Sequence, residues 1–337
     1  MKLDPPYWLE LESTYARRIA QRRQLFADHQ SQVLQCLPGA EHGCTELMEH
    51  AVQFLCARYP SHFAVAPSPS NPEHRVLHNH LLHTETNLTT TAPLHVLLHN
   101  IPEDFALMQR NPHDGLYYLR AGVICSALGW SLGTKIGKKL ADVHAPVPDY
   151  REKMQFSMDR YFSRMPTDAG VQRGSWGLER GEALFAAPGT ELGEALDKER
   201  GLQDPGLRVE DVTFRVDWQT LRRLPVSGMV VFNFKALFTP LPEMRREPYV
   251  PALLRKVLTE GKESIMRYKG TWAVEHVVLP ALEEWSREQE EGTVERGWDV
   301  GTLGESPWYP GWVGRWAEGN GVEGGVGDGV KGLGRER

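Results

Sequence analysis

Residues 212–238, VTFRVDWQTLRRLPVSGMVVFNFKALF, contain two runs of apolar and aromatic side chains. In the first run one side of the chain carries Val212, Phe214, Val216 and Trp218. The intervening side chains, from Thr213 to Gln219, are polar. Strict alternation of this kind is typical of a β-strand with one face buried. The second run, residues 229–238, is rich in aromatic and β-branched residues, and the two runs predict two strands of an antiparallel sheet.

The segments before this stretch predict two further strands followed by two helices. The strands are DFALM (104–108) and LYYLRAGVICSALGW (116–130). Ser131 is a suitable N-cap for the first helix, whose expected apolar stripe is Leu132, Ile136, Leu140 and Val143. A capping box formed by Asp149 and Glu152 predicts the start of the second helix.

The remaining segments complete an α+β pattern. Helical spacing covers the first 60 residues, VQRGSWGLE (171–179) predicts a strand, and the Gly- and Asp-rich residues 180–209 predict a loop. Helices are expected at 250–268 and 272–290. We therefore expect a PAS-like antiparallel sheet with helices on one face, flanked by N- and C-terminal helices. The expected divisions are a helical segment 1–60, a core 61–249, helices 250–290 and a disordered Trp/Gly-rich tail 291–337.

Composition excludes several classes of protein. The 337 residues carry a formal charge of −6 and 41% hydrophobic residues, so a nucleic-acid partner is not expected. The first ten residues contain Asp4, Pro5 and Pro6 instead of a signal peptide, and no apolar run is long enough to cross a membrane. Four scattered cysteines fit neither a disulfide framework nor a zinc or iron–sulfur site. These features predict a cytoplasmic protein with reduced thiols.

Two motifs suggest ligand binding without the context that binding requires. The tail contains GxGxxG at Gly319 and again at Gly327, but neither follows a predicted strand or opens a helix, so we expect no nucleotide site there. Eight of the 13 histidines lie between residues 62 and 113. A metal-binding tract is possible through His78 and His80 or through His95 and His99. A polar loop and edge strand is the favoured alternative, because carboxylates and cysteines at regular spacing are missing.

One further histidine stands where a helix must end. In KIGKKLADVHAPVP (135–148), His144 falls on the shoulder of the predicted apolar stripe and immediately precedes Ala145 and Pro146. It is either a cation that complements the helix dipole, together with Lys138 and Lys139, or a neutral ligand that projects into an apolar pocket.

Three blocks carry a family resemblance: EDFALM (103–108), LGWSLGTKIGKKLADVHAPVPDY (128–150) and WQTLRRLPVSGMVVFNFKALFTPLPE (218–243). Together with TYARRIA (14–20) they resemble the haem-dependent oxidative N-demethylase-like family. The matching positions are Trp130, Lys135, Gly137, Leu140, His144, Pro146, Val147, Pro148, Arg173, Trp176, Gln219, Leu221, Arg222, Arg223, Leu224, Pro225, Ser227 and Phe232. The resemblance covers residues 7–286, is strongest with the fungal branch of the family, and implies a PAS-type fold around a b-type haem.

The resemblance also implies roles for individual residues. His144 is the expected iron ligand, and His276 is the rival. Arg173, Arg215 and Arg222 are expected to bind haem propionates, because guanidinium pairs bidentately with carboxylate, and Trp176 is expected to pack on porphyrin. Two carboxylates, Glu103 and Asp104, are expected to bind an ammonium group or to relay protons, with helix capping or solvent exposure as the alternative.

The function implied is that of a haem-dependent monooxygenase which demethylates a small amine or oxidises a related fungal metabolite. A non-catalytic haem- or ligand-binding sensor module is the alternative, because a PAS-like fold does not determine function. A scaffold that has lost its cofactor is a third interpretation. Since the sequence offers no flavin, nicotinamide or iron–sulfur site, we expect a separate reductase or ferredoxin as electron donor.

Overall fold

The computed structural model describes residues 1–291, so nearly all of the predicted tail 291–337 lies outside the described residues. Two compact units are present. The larger unit comprises residues 1–241 and 262–278, and the described part of the smaller unit comprises residues 242–261 and 279–291. All the strands of residues 1–291 belong to the larger unit.

The described chain contains ten α-helices and eleven strands. The helices are α1 (Tyr15–His29), α2 (Glu41–Arg58), α3 (Pro93–Asn100), α4 (Leu132–Lys135), α5 (Leu140–Val143), α6 (Gln155–Arg164), α7 (Glu191–Arg200), α8 (Val250–Glu260), α9 (Glu263–Lys269) and α10 (Trp272–Glu291). The strands are β1 (Leu34–Cys36), β2 (Phe63–Pro67), β3 (Arg75–Asn79), β4 (Thr84–Asn87), β5 (Asp104–Arg110), β6 (Tyr117–Val123), β7 (Ala127–Leu128), β8 (Val171–Arg180), β9 (Phe185–Ala186), β10 (Val212–Arg223) and β11 (Val230–Pro240).

A six-stranded antiparallel sheet with the order β1-β6-β5-β11-β10-β8 forms the framework of the larger unit. The alternating stretch quoted first supplies its longest hairpin, in which Thr213 pairs with Pro240 and Arg223 with Val230. On the far side of β10, Gln219 pairs with Arg173 of β8. The α+β class with a large antiparallel sheet and flanking helices is therefore confirmed.

Apolar side chains from both helices and strands fill the core of this unit. Ile19 of α1, Leu47 of α2 and Leu97 of α3 are each at most 1% exposed, as are Phe105 of β5 and Val231 of β11. Burial of each such side chain contributes about 1.5–3 kcal/mol, so the helical N-terminal segment and the sheet stabilise one another.

The predicted continuous helix over residues 132–143 is wrong. Ser131 does form a capping box with Thr134, but α4 ends at Lys135. Gly137 then adopts a left-handed φ of +79°, and its amide donates to the Leu119 carbonyl of β6 at 2.8 Å. The neighbouring Lys138 carbonyl accepts from the Leu119 amide at 2.9 Å. Hydrogen bonding to a strand thus replaces helical hydrogen bonding over one short segment, and only the four-residue helix α5 follows.

The predicted capping box at Asp149 is also wrong. Asp149 has a left-handed φ of +57° and its side chain caps no helix. Its carboxylate pairs instead with Lys262 and, at 3.3 Å, with Lys153. A π-helical turn (Tyr150–Met154) leads into α6, whose Phe156 is 77% exposed.

Two other regions differ from their predictions. Residues 180–209 contain, besides the predicted loop, strand β9 and the ten-residue helix α7, which Thr190 caps by accepting from the Gly193 amide at 3.1 Å. The first 60 residues are largely helical as predicted, but β1 lies between α1 and α2 and pairs with β6, with Gln35 opposite Gly122. The predicted strands at 104–108 and 171–179 and the two within 212–238 are confirmed, whereas the predicted strand 116–130 is divided into β6 and the two-residue β7.

The described part of the smaller unit includes α8 and the C-terminal half of α10. Arg245 pairs with Glu288, and the Tyr249 amide donates to Gln289 Oε1 at 2.9 Å. The expected helices at 250–268 and 272–290 are confirmed, with a break after Glu260.

Candidate functional site

His144 occupies the C-cap position of α5, directly after Val143. Helix α5 is short because the chain that precedes it runs beside β6, and it ends because Pro146 excludes helical backbone at Ala145. His144 therefore lies on a short turn that β6 constrains on one side and Pro146 on the other. It does not lie on the face of a regular helix, as the sequence suggested.

The contacts of His144 leave one ring nitrogen available. Nδ1 donates to the Leu140 carbonyl at 2.8 Å, which fixes the tautomer with the lone pair on Nε2. Within residues 1–291, Nε2 has no hydrogen-bond partner. Burial lowers the pKa of His144, and the positive charges of Lys135 and Arg173 lower it further, while the Leu140 hydrogen bond opposes them. The imidazole is thus neutral at pH 7 and able to bind a metal ion through Nε2.

One side chain stacks on the imidazole, and a second lies close enough for its charge to act on it. The Tyr150 ring is stacked on it, with centroids 5.0 Å apart and planes inclined by 7°. The Lys135 ammonium donates to the Val143 carbonyl at 2.5 Å, and burial lowers the pKa of this lysine. Both residues belong to the block of sequence that contains His144, but helical periodicity gave no sign that either one packs there.

Arg173 of β8 lies close enough to His144 for its charge to lower the pKa of the imidazole. Because Arg173 and Gln219 are paired across β8 and β10, their side chains lie on the same face, and Arg173 Nε donates to Gln219 Oε1 at 2.6 Å. No carboxylate of residues 1–291 pairs with the Arg173 guanidinium, and the residue is exposed. The free edge of the guanidinium is suited to binding a carboxylate of a ligand.

Asp217, which the sequence analysis did not select, lies two residues along β10 on that same face. Its Oδ1 accepts from Arg215 Nε at 3.0 Å, and its side chain is 26% exposed. Burial raises the pKa of Asp217 against the opposing charge of Arg215. The signal was available in the sequence, because Asp217 and Arg215 alternate with the apolar side chains of the strand.

The other predicted cofactor-binding residues are divided between the two faces of the sheet. Arg215 shares a face with Arg173, but its guanidinium is occupied by Asp217 and lies 5.6 Å from the Phe238 ring centroid. Trp176 and Arg222 differ from Arg173 and Gln219 by an odd number of positions, so they lie on the opposite face. There Trp176 stacks on Phe214, and Arg222 lies 4.1 Å from the Trp8 ring centroid.

The two predicted catalytic carboxylates contact groups of the chain itself. Asp104 is fully buried, pairs with Arg22, and accepts from the amides of Cys125 at 2.9 Å and Ser126 at 2.6 Å. The two amides link β5 to the chain that follows β6, and Arg22 links it to α1, which is a structural arrangement.

Glu103 lies on the other face and is also buried. Oε1 accepts from the Glu10 amide at 3.1 Å and lies 3.5 Å from Lys235 Nζ. Oε2 is buried without a hydrogen-bond partner among residues 1–291. Neither carboxylate contacts His144 or Arg173, so the structure does not bring the predicted catalytic pair to the predicted ligand.

The rival histidine, His276, lies inside α10. Its Nε2 bonds the Asp204 carbonyl at 2.8 Å, and its Nδ1 is buried without a hydrogen-bond partner in the described chain. The histidine-rich tract does not form a polydentate site either. His78 pairs with Glu85 at 3.3 Å, but residues 1–291 contain no group of three His, Cys, Asp or Glu side chains placed to hold an ion.

Within residues 1–291, His144 belongs to no group of three side chains that could hold a metal ion. Zinc in proteins takes three or four protein ligands, whereas haem iron takes four ligands from the porphyrin, so that one histidine is enough to hold it. A neutral imidazole with Nε2 available, together with an unpaired guanidinium for a propionate, fits haem. This arrangement fits the class of proteins that hold haem through one histidine.

Comparison with protein families agrees with this class. A family model described as haem-dependent oxidative N-demethylase, alpha subunit-like, matches residues 1–279, and the chain belongs to this family. The family description indicates dependence on haem and an oxidoreductase function. Among the helices of residues 1–291, none combines the length and apolar composition needed to cross a bilayer.

Proposed function

We propose that this protein is a monooxygenase that holds one b-type haem through His144 Nε2 and oxidatively demethylates a small amine. The observation that supports it best is the state of the His144 imidazole. The ring is neutral, its Nδ1 is bonded to the Leu140 carbonyl, and its Nε2 is free. The order β6-β5-β11-β10-β8, in which the first of these strands along the chain lies beside the last, supports a PAS-like interpretation of the sheet.

The proposed reaction inserts one atom of O2 into a C–H bond of an N-methyl group. The second oxygen atom leaves as water with two electrons and two protons from a donor. The resulting N-hydroxymethyl compound loses formaldehyde and leaves the demethylated amine. Haem, when bound, supplies the activation of oxygen. We further propose that a separate reductase or ferredoxin delivers the electrons, with a small molecule as substrate.

The roles of the chain's own residues follow from their contacts. His144 binds iron, and the Leu140 carbonyl keeps the proton on Nδ1. Arg173, oriented by Gln219, binds a propionate. Asp217 is a better placed carboxylate than Glu103 or Asp104 for holding a proton or an ammonium group. It lies on the Arg173 face, and Oδ2 makes no hydrogen bond within residues 1–291.

Two matched arginine variants test the proposed cofactor pocket. Arg173→Leu should weaken hemin binding about tenfold, the size of one hydrogen bond to a charged group. Arg222→Leu, on the opposite face over Trp8, should leave hemin affinity within about twofold. Titration of the Soret band measures both. Equal losses in the two variants would contradict the assignment of the pocket to the Arg173 face.

The activity is tested with hemin-loaded protein, NADPH, a ferredoxin–reductase pair and small secondary or tertiary methylamines. We expect O2 consumption with one formaldehyde released per turnover, and no turnover when the electron-transfer proteins are omitted. A stable Soret band without turnover on any amine would favour the sensor alternative. Absence of a Soret band would contradict haem binding altogether.

A further inference from the structure

Tyr150 is placed against the proposed iron ligand by a short and rigid connection. The Val147 amide donates to the His144 carbonyl at 2.9 Å, and the Tyr150 amide donates to the Val147 carbonyl at 3.2 Å. Pro146 and Pro148 lie within the same five-residue connection and restrict its backbone. Two successive turns therefore return the chain so that the tyrosine ring stacks on the imidazole.

The backbone around Tyr150 has two uncommon features. Asp149 is left-handed, which is unfavourable for a residue other than glycine, and its ion pairs with Lys153 and Lys262 hold it there. Tyr150 then begins a π-helical turn, a form that is rare and frequent at functional sites. The fold maintains an unfavourable local conformation at the residue that fixes the direction of the Tyr150 side chain.

The Tyr150 hydroxyl is buried and has no hydrogen-bond partner within residues 1–291. The residue as a whole is only 2% exposed. An unpaired buried hydroxyl costs about 1–3 kcal/mol, and most such groups in folded proteins have a partner. A tyrosine beside a ligand histidine, with a free hydroxyl donor, is therefore expected to donate to a group that the chain itself does not supply.

We infer that Tyr150 is a second haem-contacting residue of this chain: its ring orients the His144 imidazole and its hydroxyl donates to a haem propionate. This inference rests on the proposed function. The propionates are chosen because carboxylate oxygens are the strong hydrogen-bond acceptors of haem b. The stacked ring restricts rotation of the imidazole, while the Leu140 carbonyl fixes its tautomer.

Two variants separate the two roles. Tyr150→Phe keeps the ring and removes the hydroxyl, and Tyr150→Leu removes both. Tyr161→Phe is the matched control, because Tyr161 is 37% exposed on α6. Each protein is titrated with hemin and with hemin dimethyl ester, in which the carboxylates are blocked. Circular dichroism and thermal unfolding establish that each variant is folded.

We expect Tyr150→Phe to weaken hemin binding about tenfold and to leave the dimethyl ester affinity unchanged. Tyr150→Leu should weaken binding of both compounds and shift the midpoint potential of the bound iron, because orientation of an axial histidine sets its donor strength. Tyr161→Phe should match the unmodified protein in every measurement.

The outcomes separate this inference from the proposed function. If Tyr150→Phe binds hemin as tightly as the unmodified protein does, and binds the ester as tightly too, the proposed role of the hydroxyl is overturned. An unchanged midpoint potential in folded Tyr150→Leu would overturn the role of the ring. Both results leave the haem proposal intact. If the unmodified protein fails to bind hemin, the proposed function and this inference both fall.

Discussion

His144 and His276 each use one ring nitrogen to bond a backbone carbonyl, but they use different nitrogens. His144 bonds Leu140 through Nδ1, so the nitrogen farther from the backbone is available. His276 bonds Asp204 through Nε2, so only the nitrogen next to its own helix is unpaired, and that atom is buried. The comparison teaches that the second contact of a histidine decides whether it is able to reach a bound group.

The backbone explains why the two histidines differ. His276 lies within the 20-residue helix α10, where regular geometry directs its ring along the helix surface. His144 follows two four-residue helices separated by an extended segment that includes Gly137. His144 thus follows an interrupted helical segment, whereas His276 lies within a continuous helix.

Replacing each histidine in turn tests most directly which of the two binds the haem iron. His144→Ala should lower hemin affinity by more than about a hundredfold, since loss of a metal ligand exceeds the 10–100-fold effect of losing its outer partners. His276→Ala should leave the Soret band in place. Titration with hemin measures both. Loss of haem in the His276 variant alone would transfer the ligand role to α10.

Substitution of a glycine in the interrupted segment before α5 tests whether its backbone conformation matters for His144. Gly137→Ala should destabilise the protein by about 1–2 kcal/mol, because a Cβ at φ +79° is unfavourable even where space is free. Gly201→Ala is the control. Gly201 ends α7 with φ −88°, and a Cβ there meets atoms no closer than 3.5 Å.

Urea unfolding gives both values, and hemin titration of the folded variants shows whether the strain reaches His144. We expect a several-fold loss of hemin affinity in Gly137→Ala and none in Gly201→Ala. Unchanged stability and hemin affinity in Gly137→Ala would show that the interruption before α5 has no part in presenting the imidazole.

The smallest expected effect concerns pH. Because burial lowers the pKa of His144 from its ordinary value, hemin affinity should stay level near neutral pH and fall only as the pH drops through the lowered pKa. The unfolded chain binds this proton more readily, so the stability that the neutral imidazole contributes is present above pH 6.5 and lost below it. Soret titrations between about pH 5 and pH 8 test this, and a decline that begins above pH 7 would contradict it.

Sequence alone predicted the sheet better than the site. Alternation along β10 is a local property, so this strand was predictable, and it pairs with β11 from Thr213 to Arg223. The interruption before His144 depends on hydrogen bonds to β6, which apolar spacing does not encode. Tyr150 was missed for the same reason, because two non-helical turns bring it back to the imidazole.

The order of strands also has a consequence for folding. β5 pairs with β11, with Ala106 opposite Phe232, so the centre of the sheet joins segments far apart in the chain. His144 and Arg173 both lie between these two strands in sequence. Closing such a long loop is slow compared with forming local hairpins or helices. During synthesis the two sides of the site are therefore made before the sheet that holds them is complete. A chain that ends before β11 leaves the apolar edge of β5 unpaired, where it is prone to aggregate.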